Sequence, residues 1–358
     1  MKNKIILILI YISIVKTGFA QLAPKYSNDF LTIGVSARAL GLANSVVTST
    51  NDANAGYWNP AGLINQPFEY SVAMMHAEYF AGMSKYDFAA GSYKQNDSSV
   101  FAVSFIRMAW DDIPNTLNAF DANGNLNTDN ITTFSVADYA LLLSYARKSK
   151  IKGLNYGATA KIIYRQEGSF ATAFGFGFDA GLIYSKNNWK FALVAKDVTT
   201  TFNSWMFNTS QLTAVFDATG NVIPKNSTEI TLPSFIGGVA RSFTYKDNYH
   251  LLAEFNFNLT LDGKRNTLVS TKLLSVDPHA GIEIDFRKMI FFRMGVGNIQ
   301  QITDFGNQKS WDVQPNVGLG LCLYNYTLDY ALTDLSGLSG TMYSNVFSLS
   351  YSFAKQRK

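Results

Sequence analysis

The chain has 358 residues, of which 47% are hydrophobic, 14% aromatic and only 16% charged, and its mean hydropathy is +0.01. A charged fraction well below the roughly 25% of soluble domains, together with 27 Phe and 19 Tyr, excludes a disordered or strongly solvated chain. The formal charge of +4 sits at the two ends, in Lys2, Lys4 and Lys16 and in the last four residues. Residues 21–354 sum to about −2, which excludes a nucleic-acid footprint.

Residues 1–20 read as a secretory signal. Lys2 and Lys4 precede an apolar run of 11 residues at 5–15, and Gly18-Phe19-Ala20 offers small residues at the −3 and −1 positions of a cleavage site before Gln21. The run is too short to span ~30 Å of hydrocarbon. No Cys lies near that site, so a lipid-anchored start is not expected, and the sole cysteine, Cys322, has no partner for an internal disulfide. Residues 21–67 come next. Gly34, Gly41, Gly56 and Gly62 permit tight backbone passage, and Asn59-Pro60 is a turn or helix start in which Asn can cap.

From residue 68 onward, period-two alternation dominates. Phe174, Phe176, Phe178, Leu182 and Tyr184 alternate with Gly175, Gly177, Asp179 and Gly181. Leu251, Ala253, Phe255, Phe257 and Leu259 alternate with a row broken only by Leu252, and Ile282, Ile284 and Phe286 alternate with Glu283 and Asp285. Fourteen strands are predicted, near 68–79, 85–94, 98–110, 138–148, 155–165, 174–185, 189–198, 234–243, 249–260, 280–286, 289–300, 315–323, 325–332 and 344–353, with 268–274 able to hide part of another. The even-numbered gaps between them run from 1 to 6 residues and the odd-numbered ones from 5 to 35. Short periplasmic turns alternating with longer outer loops are the rhythm of an outer-membrane barrel, and aromatic pairs such as Tyr156 and Tyr164 mark its two girdles. The chain ends on an alternating strand from Phe347 to Phe353, followed by a basic tail read as a frayed periplasmic extension.

The predicted fold is therefore all-β: a transmembrane antiparallel barrel of about fourteen strands. Its expected divisions are a signal peptide at 1–20, an N-terminal hatch at 21–67, the barrel at 68–353 and the tail at 354–358. A segment of the hatch's length on the periplasmic side can enter the lumen as a plug, the alternative being a short cap beneath the barrel. Alternation assigns Lys161, Asp179, Glu254, Glu283, Asp285, Arg293 and Asp329 to the lumen, where mixed signs suit a satisfied network more than a selective ion path. The outer loop 199–233 carries Phe202, Trp205, Met206, Phe207 and Phe216, a candidate partner-contact surface. An echo links Phe120-Asp121-Ala122-Asn123-Gly124-Asn125 with Phe216-Asp217-Ala218-Thr219-Gly220-Asn221, and both read as hairpin turns in preference to Ca²⁺ loops.

His76, His250 and His279 are far apart in sequence, and no nucleophile elbow, metal-ligand cluster or phosphate loop is present, so no catalytic residue, metal or cofactor is expected.

The run Ala37-Arg38-Ala39-Leu40-Gly41, the later Asn51-Asp52-Ala53 and Trp58-Asn59-Pro60-Ala61-Gly62-Leu63 resemble the N-terminal signature of the PorV/PorQ family, a branch of the FadL-like outer-membrane barrels. Leu328-Asp329-Tyr330-Ala331-Leu332 and the Phe347–Phe353 strand are similar to that family's last two strands. The resemblance implies a location in the outer membrane, among its lipids, and matches Asn59, Pro60 and Ala61 to a hatch motif. It also implies an accessory role in type IX secretion, in which outer loops bind a large translocon barrel and secreted cargo proteins. The alternative it leaves open is a FadL-like transporter of fatty acids or other hydrophobes, with a lipid or detergent-like molecule in the lumen.

Overall fold

The computed structural model describes residues 27–353 apart from 80–81, 118, 120–124, 212, 214–221, 223–225, 304–306 and 334–343. The expected signal peptide, the tail and most of the echoed turns thus lie outside the described residues. Fourteen antiparallel strands close into one wall: β1 (Tyr70–Tyr79), β2 (Ser84–Asn96), β3 (Ser99–Asn115), β4 (Thr132–Lys148), β5 (Leu154–Glu167), β6 (Ala171–Lys186), β7 (Trp189–Lys196), β10 (Ser234–Tyr245), β11 (Tyr249–Thr260), β13 (Ser275–Phe286), β14 (Ile290–Thr303), β15 (Lys309–Leu323), β16 (Tyr326–Thr333) and β17 (Ser344–Phe353). Closure is made by β1 against β17, from Tyr70 opposite Phe353 to Ala77 opposite Val346. Every strand expected from the alternation is present.

Three further strands stand at the long-loop end. β8 (Thr201–Phe207) pairs with the upper half of β6, β9 (Ser227–Thr231) pairs with β8, and the two-residue β12 (Val269–Ser270) pairs with β13. The expectation of one loop over 199–233 is therefore corrected. Its two flanks are strands that extend the wall, because the free upper edge of β6, beyond the end of β7, offers unpaired backbone groups. At the opposite end the connections are tight. Lys246-Asp247 and Arg287-Lys288 all hold φ between +49° and +55°, close to the geometry a two-residue hairpin turn demands, without a glycine.

Alternation decides which side chains face lipid. On β6, Phe174, Phe176, Phe178 and Leu182 are exposed on the outer face, while Gly175, Gly177, Asp179 and Gly181 turn inward. The lumen is not empty. Residues 27–69 run inside it as two short helices, α1 (Ala37–Gly41) and α2 (Ala55–Trp58), with 3-10 turns at Asp29–Leu31 and Pro60–Asn65. Val35, Leu40, Leu42, Val47, Tyr57 and Trp58 of this segment form one buried apolar cluster with Met75, Tyr86, Ile106, Leu142 and Ile163 of the wall. The hydrophobic core of the molecule thus lies between the plug and the inner wall.

Candidate functional site: the hatch and the cavity above it

The plug is seated on glycines. Gly157 of β5 and Gly181 of β6 are register partners facing inward, and Asn59-Pro60 lies directly on them. A Cβ at Gly157 would come within 2.7 Å of the Pro60 carbonyl carbon, and one at Gly181 within 2.1 Å of Asn59 Oδ1. A second pair, Gly281 and Gly295 on β13 and β14, receives Leu42. There a Cβ would meet the Leu42 carbonyl oxygen at 2.8 Å or its carbonyl carbon at 2.2 Å.

Asn59 is the bolt of the motif. Its Oδ1 accepts from Ala61 N–H at 3.1 Å, and its Nδ2 donates to the carbonyls of Val47 at 3.0 Å and Leu182 at 3.2 Å, so one side chain caps a turn and ties plug to wall. Trp58 is buried and donates from Nε1 to Val35 O at 3.0 Å. Ala61 and Leu63 have no exposed surface, and a Cβ on Gly62 would press on Thr50 O at 2.4 Å. Asn59→Ala removes three hydrogen bonds, one from Ala61 N–H and the two that tie Nδ2 to the Val47 and Leu182 carbonyls. We expect the segment 27–69 to become sensitive to protease in a barrel that still shifts in mobility on heating, at a cost of about 2–4 kcal/mol.

All seven residues assigned to the lumen are buried, and the structure sorts them into separate groups. Glu283 accepts from Arg293 Nε at 2.6 Å and from Arg38 Nε at 2.8 Å and Nη2 at 3.0 Å, while Arg293 Nη1 donates to Asp329 at 2.7 Å. Burial opposes the Arg38 charge, but Glu283 outweighs it and holds that guanidinium more firmly protonated than usual. Lys161 sits 2.7 Å from Asp179 and also pairs with Asp197, which accepts from Thr201 Oγ1 at 2.5 Å. Lys196 is 3.4 Å from Asp179 and donates to the Tyr57 carbonyl. Glu254 accepts from Thr48 N–H at 2.8 Å, and Asp285 stands apart, paired with His250 at 2.8 Å.

Arg38, Lys196 and Asp197 were not singled out from the sequence. The outward row Trp189, Phe191, Leu193 does place Lys196 inward, whereas Arg38 gives no such signal because its partner lies on a strand far along the chain. His76 and Asp87, opposite each other on β1 and β2, are 2.7 Å apart, a pairing that their separation in sequence hid.

Above the plug, towards the long loops, lies a cavity of about 270 Å³. Leu31, Val47, Tyr57, Leu142, Phe235 and Ile236 give it apolar walls, and the Lys161–Asp179–Lys196 group forms part of its lining.

The candidate contact residues divide by strand alternation. Phe202 and Met206 are exposed on the outer face, with Phe202 against Phe176. Trp205 turns the other way, under Arg165, and donates to Glu229 at 2.7 Å. Phe207 stacks beside Trp205, and Phe216 lies outside the described residues. No single aromatic patch joins the described four.

The outer face is also uneven. The uncharged outward row of β6 from Phe174 to Tyr184 covers ~25 Å along the membrane normal. On β1 the row Tyr70, Val72, Met74 stops at His76 after ~10 Å. There His76, Asp87 and Arg107 form a polar seam, with Lys85 and Asp111 joined at 2.8 Å alongside.

No protein-family model matches the chain, and no curated protein matches it by sequence. Solved structures do. A structure described as the CymD monoaromatic hydrocarbon channel aligns at TM-score 0.57 and 11% identity, covering 91% of this chain and 99% of that one. The Pseudomonas putida toluene transporter TodX aligns at 0.55 and 10% identity over 90% and 99% of the two chains. A Pseudomonas aeruginosa FadL homologue aligns at 0.52 and 12% identity over 89% and 98%. With its fourteen closed strands and an alignment that spans those chains almost end to end, this protein has the FadL-like barrel fold.

Proposed function

We propose that the chain is an outer-membrane channel that takes up a small hydrophobic or amphiphilic molecule. The cavity above the plug carries this reading. A dry apolar cavity of ~150 Å³ already holds benzene, so about 270 Å³ with apolar walls accommodates an aromatic ring and a substituent. The structures it resembles in fold include ones described as hydrocarbon and toluene channels, which supports the same class of permeant. Uptake of labelled toluene by cells carrying the chain is expected to exceed that of cells lacking it. Ile236→Trp, which fills the cavity from the wall, should return uptake to the background while the protein still inserts. Unchanged uptake in that variant would take the cavity off the path.

A role beside a large translocon barrel handling secreted cargo is the second reading. The residues that suggested it bear on the interior: Ala37, Gly41, Trp58 and Ala61 are buried against the wall or within the plug, so that motif describes how the hatch packs and not which partner is met. One observation favours it nonetheless. The seam at His76, Asp87 and Arg107 puts polar and charged side chains on the outer face where β6 carries an uncharged apolar row, and a membrane-embedded neighbour would cover them. A photo-crosslinker at Met74, beside the seam, should then yield one discrete high-mass adduct in the native membrane. Labelling of lipid alone would remove this reading.

A further inference from the structure

One side of the barrel suits a lipid environment and the other does not. On β11 the outward row from Tyr249 to Leu259 is uncharged. From β16 to β3 the outward rows turn polar partway up. Tyr330 donates from its hydroxyl to Asn345 at 2.7 Å, His76 pairs with Asp87 at 2.7 Å, and Arg107 meets Asp87 at 3.1 Å. One row higher, Lys85 holds Asp111 at 2.8 Å, and Glu78, 58% exposed, has its ionic contact with His76 at 3.8 Å. His76 stands ~15 Å above Tyr70 along the membrane normal, within an apolar band ~25 Å tall.

Below this seam lies a groove of about 400 Å³ on the outer face. Phe105 of β3 and Phe347 of β17 flank it, and its floor on β2 is Ala89. Gly91 continues that floor, and an added Cβ there would meet nothing within 4 Å. Beside the floor Met74, 59% exposed, projects from β1 as the register partner of Ala89. A ridge and a hollow thus stand side by side on adjacent strands. An isologous contact needs this of a surface, since what one copy projects the other must receive.

Lipid tails offer the seam neither hydrogen bonds nor counter-charge. A protein neighbour satisfies it only with polar groups at the same depth. A second copy, inserted in the same sense, brings them there by symmetry, with Lys85 and Arg107 as cations and Glu78, Asp87 and Asp111 as carboxylates.

We propose that this face pairs with a second copy of the chain, about a twofold axis along the membrane normal that passes between β1 and β2. Met74 of each copy then sits over Ala89 of the other. Strands tilted by ~40° in each wall cross steeply at such a contact, so the close fit is a patch centred on that pair, with the two seams above it. A second copy takes the place a translocon would occupy and leaves the channel reading untouched.

The test uses the full-length protein in its native membrane, with the photo-crosslinker at Met74 and cross-linked peptides identified by mass spectrometry. The expected product has twice the protomer mass and joins position 74 to a β2 peptide containing Ala89. Ala89→Trp, which fills the hollow without adding charge, should lower its yield about tenfold. Phe178→Trp, on the outer face of β6, should leave the yield unchanged, and heat-dependent migration confirms that each variant inserts. Labelling of lipid alone would overturn the pairing. An adduct with a different protein would overturn it in favour of the translocon. A self-adduct that Ala89→Trp does not weaken, or that both variants weaken equally, would overturn the surface assigned to it.

Discussion

Replacing Gly295 with valine should expel the plug from its seat. A Cβ there would stand 2.2 Å from the Leu42 carbonyl carbon and 2.4 Å from Ala43 N, and both are backbone atoms that cannot rotate aside. Overpacking of a close-fitted interior costs about 1–3 kcal/mol when side chains absorb it, and here the backbone must move instead. The wall is held by its own ladder, with β14 paired to β13 from Ile290 to Val296 and to β15 on its other edge. The damage should therefore fall on residues 27–69. The expected result is a protein that inserts and keeps its heat-dependent migration, yet loses the N-terminal segment to protease within the time the wild type stays intact. The same substitution at Gly91, where an added Cβ meets nothing within 4 Å, is the control and should be silent. An intact segment in Gly295→Val would mean that the plug is not seated where the structure puts it.

The second large effect is expected at Arg293. It is almost wholly buried and holds Glu283 and Asp329 together, while Glu283 in turn holds Arg38 of the plug. Arg293→Met leaves Asp329 without its cation and Glu283 with one in place of two. Breaking a buried ion network by removing one member costs about 3–5 kcal/mol, because the charges left behind stay out of water. Thermal unfolding should shift down by several degrees. A double variant, Arg293→Met with Asp329→Asn, should recover part of the loss, since one orphaned charge is then removed. If the double variant were no better than the single one, the cost would be one of packing and not of charge.

The wall was legible in the sequence because a membrane barrel writes one rule along every strand: apolar outward, small or polar inward. Phe174 to Tyr184 and Tyr249 to Thr260 obey it cleanly enough for strand, face and length to be read together. β8 escaped because apolar residues occupy both of its faces, Phe202 and Met206 on one and Trp205 and Phe207 on the other, so the stretch reads as a cluster. The lumen residues were legible one at a time but not as groups. Which of them meet depends on register and on the plug: Lys161 finds Asp179 two residues beyond its register partner, and Glu283 finds Arg38 across the lumen. The cavity was not legible at all, since its lining comes from the plug and from seven different wall strands. The N-terminal motif was readable as a motif, yet its chemistry is steric, a fit of backbone to glycine that no side-chain inventory contains.

The closing pair β1 and β17 has a consequence for how the protein is made. β1 begins directly after the plug, and it is sealed to the last strand of the chain, so the seam joins residues almost the whole barrel apart in sequence. Such a contact is among the slowest for a chain to form. Assembly is therefore expected to have an order, in which hairpins between strands adjacent in sequence pair first and the seam zips last.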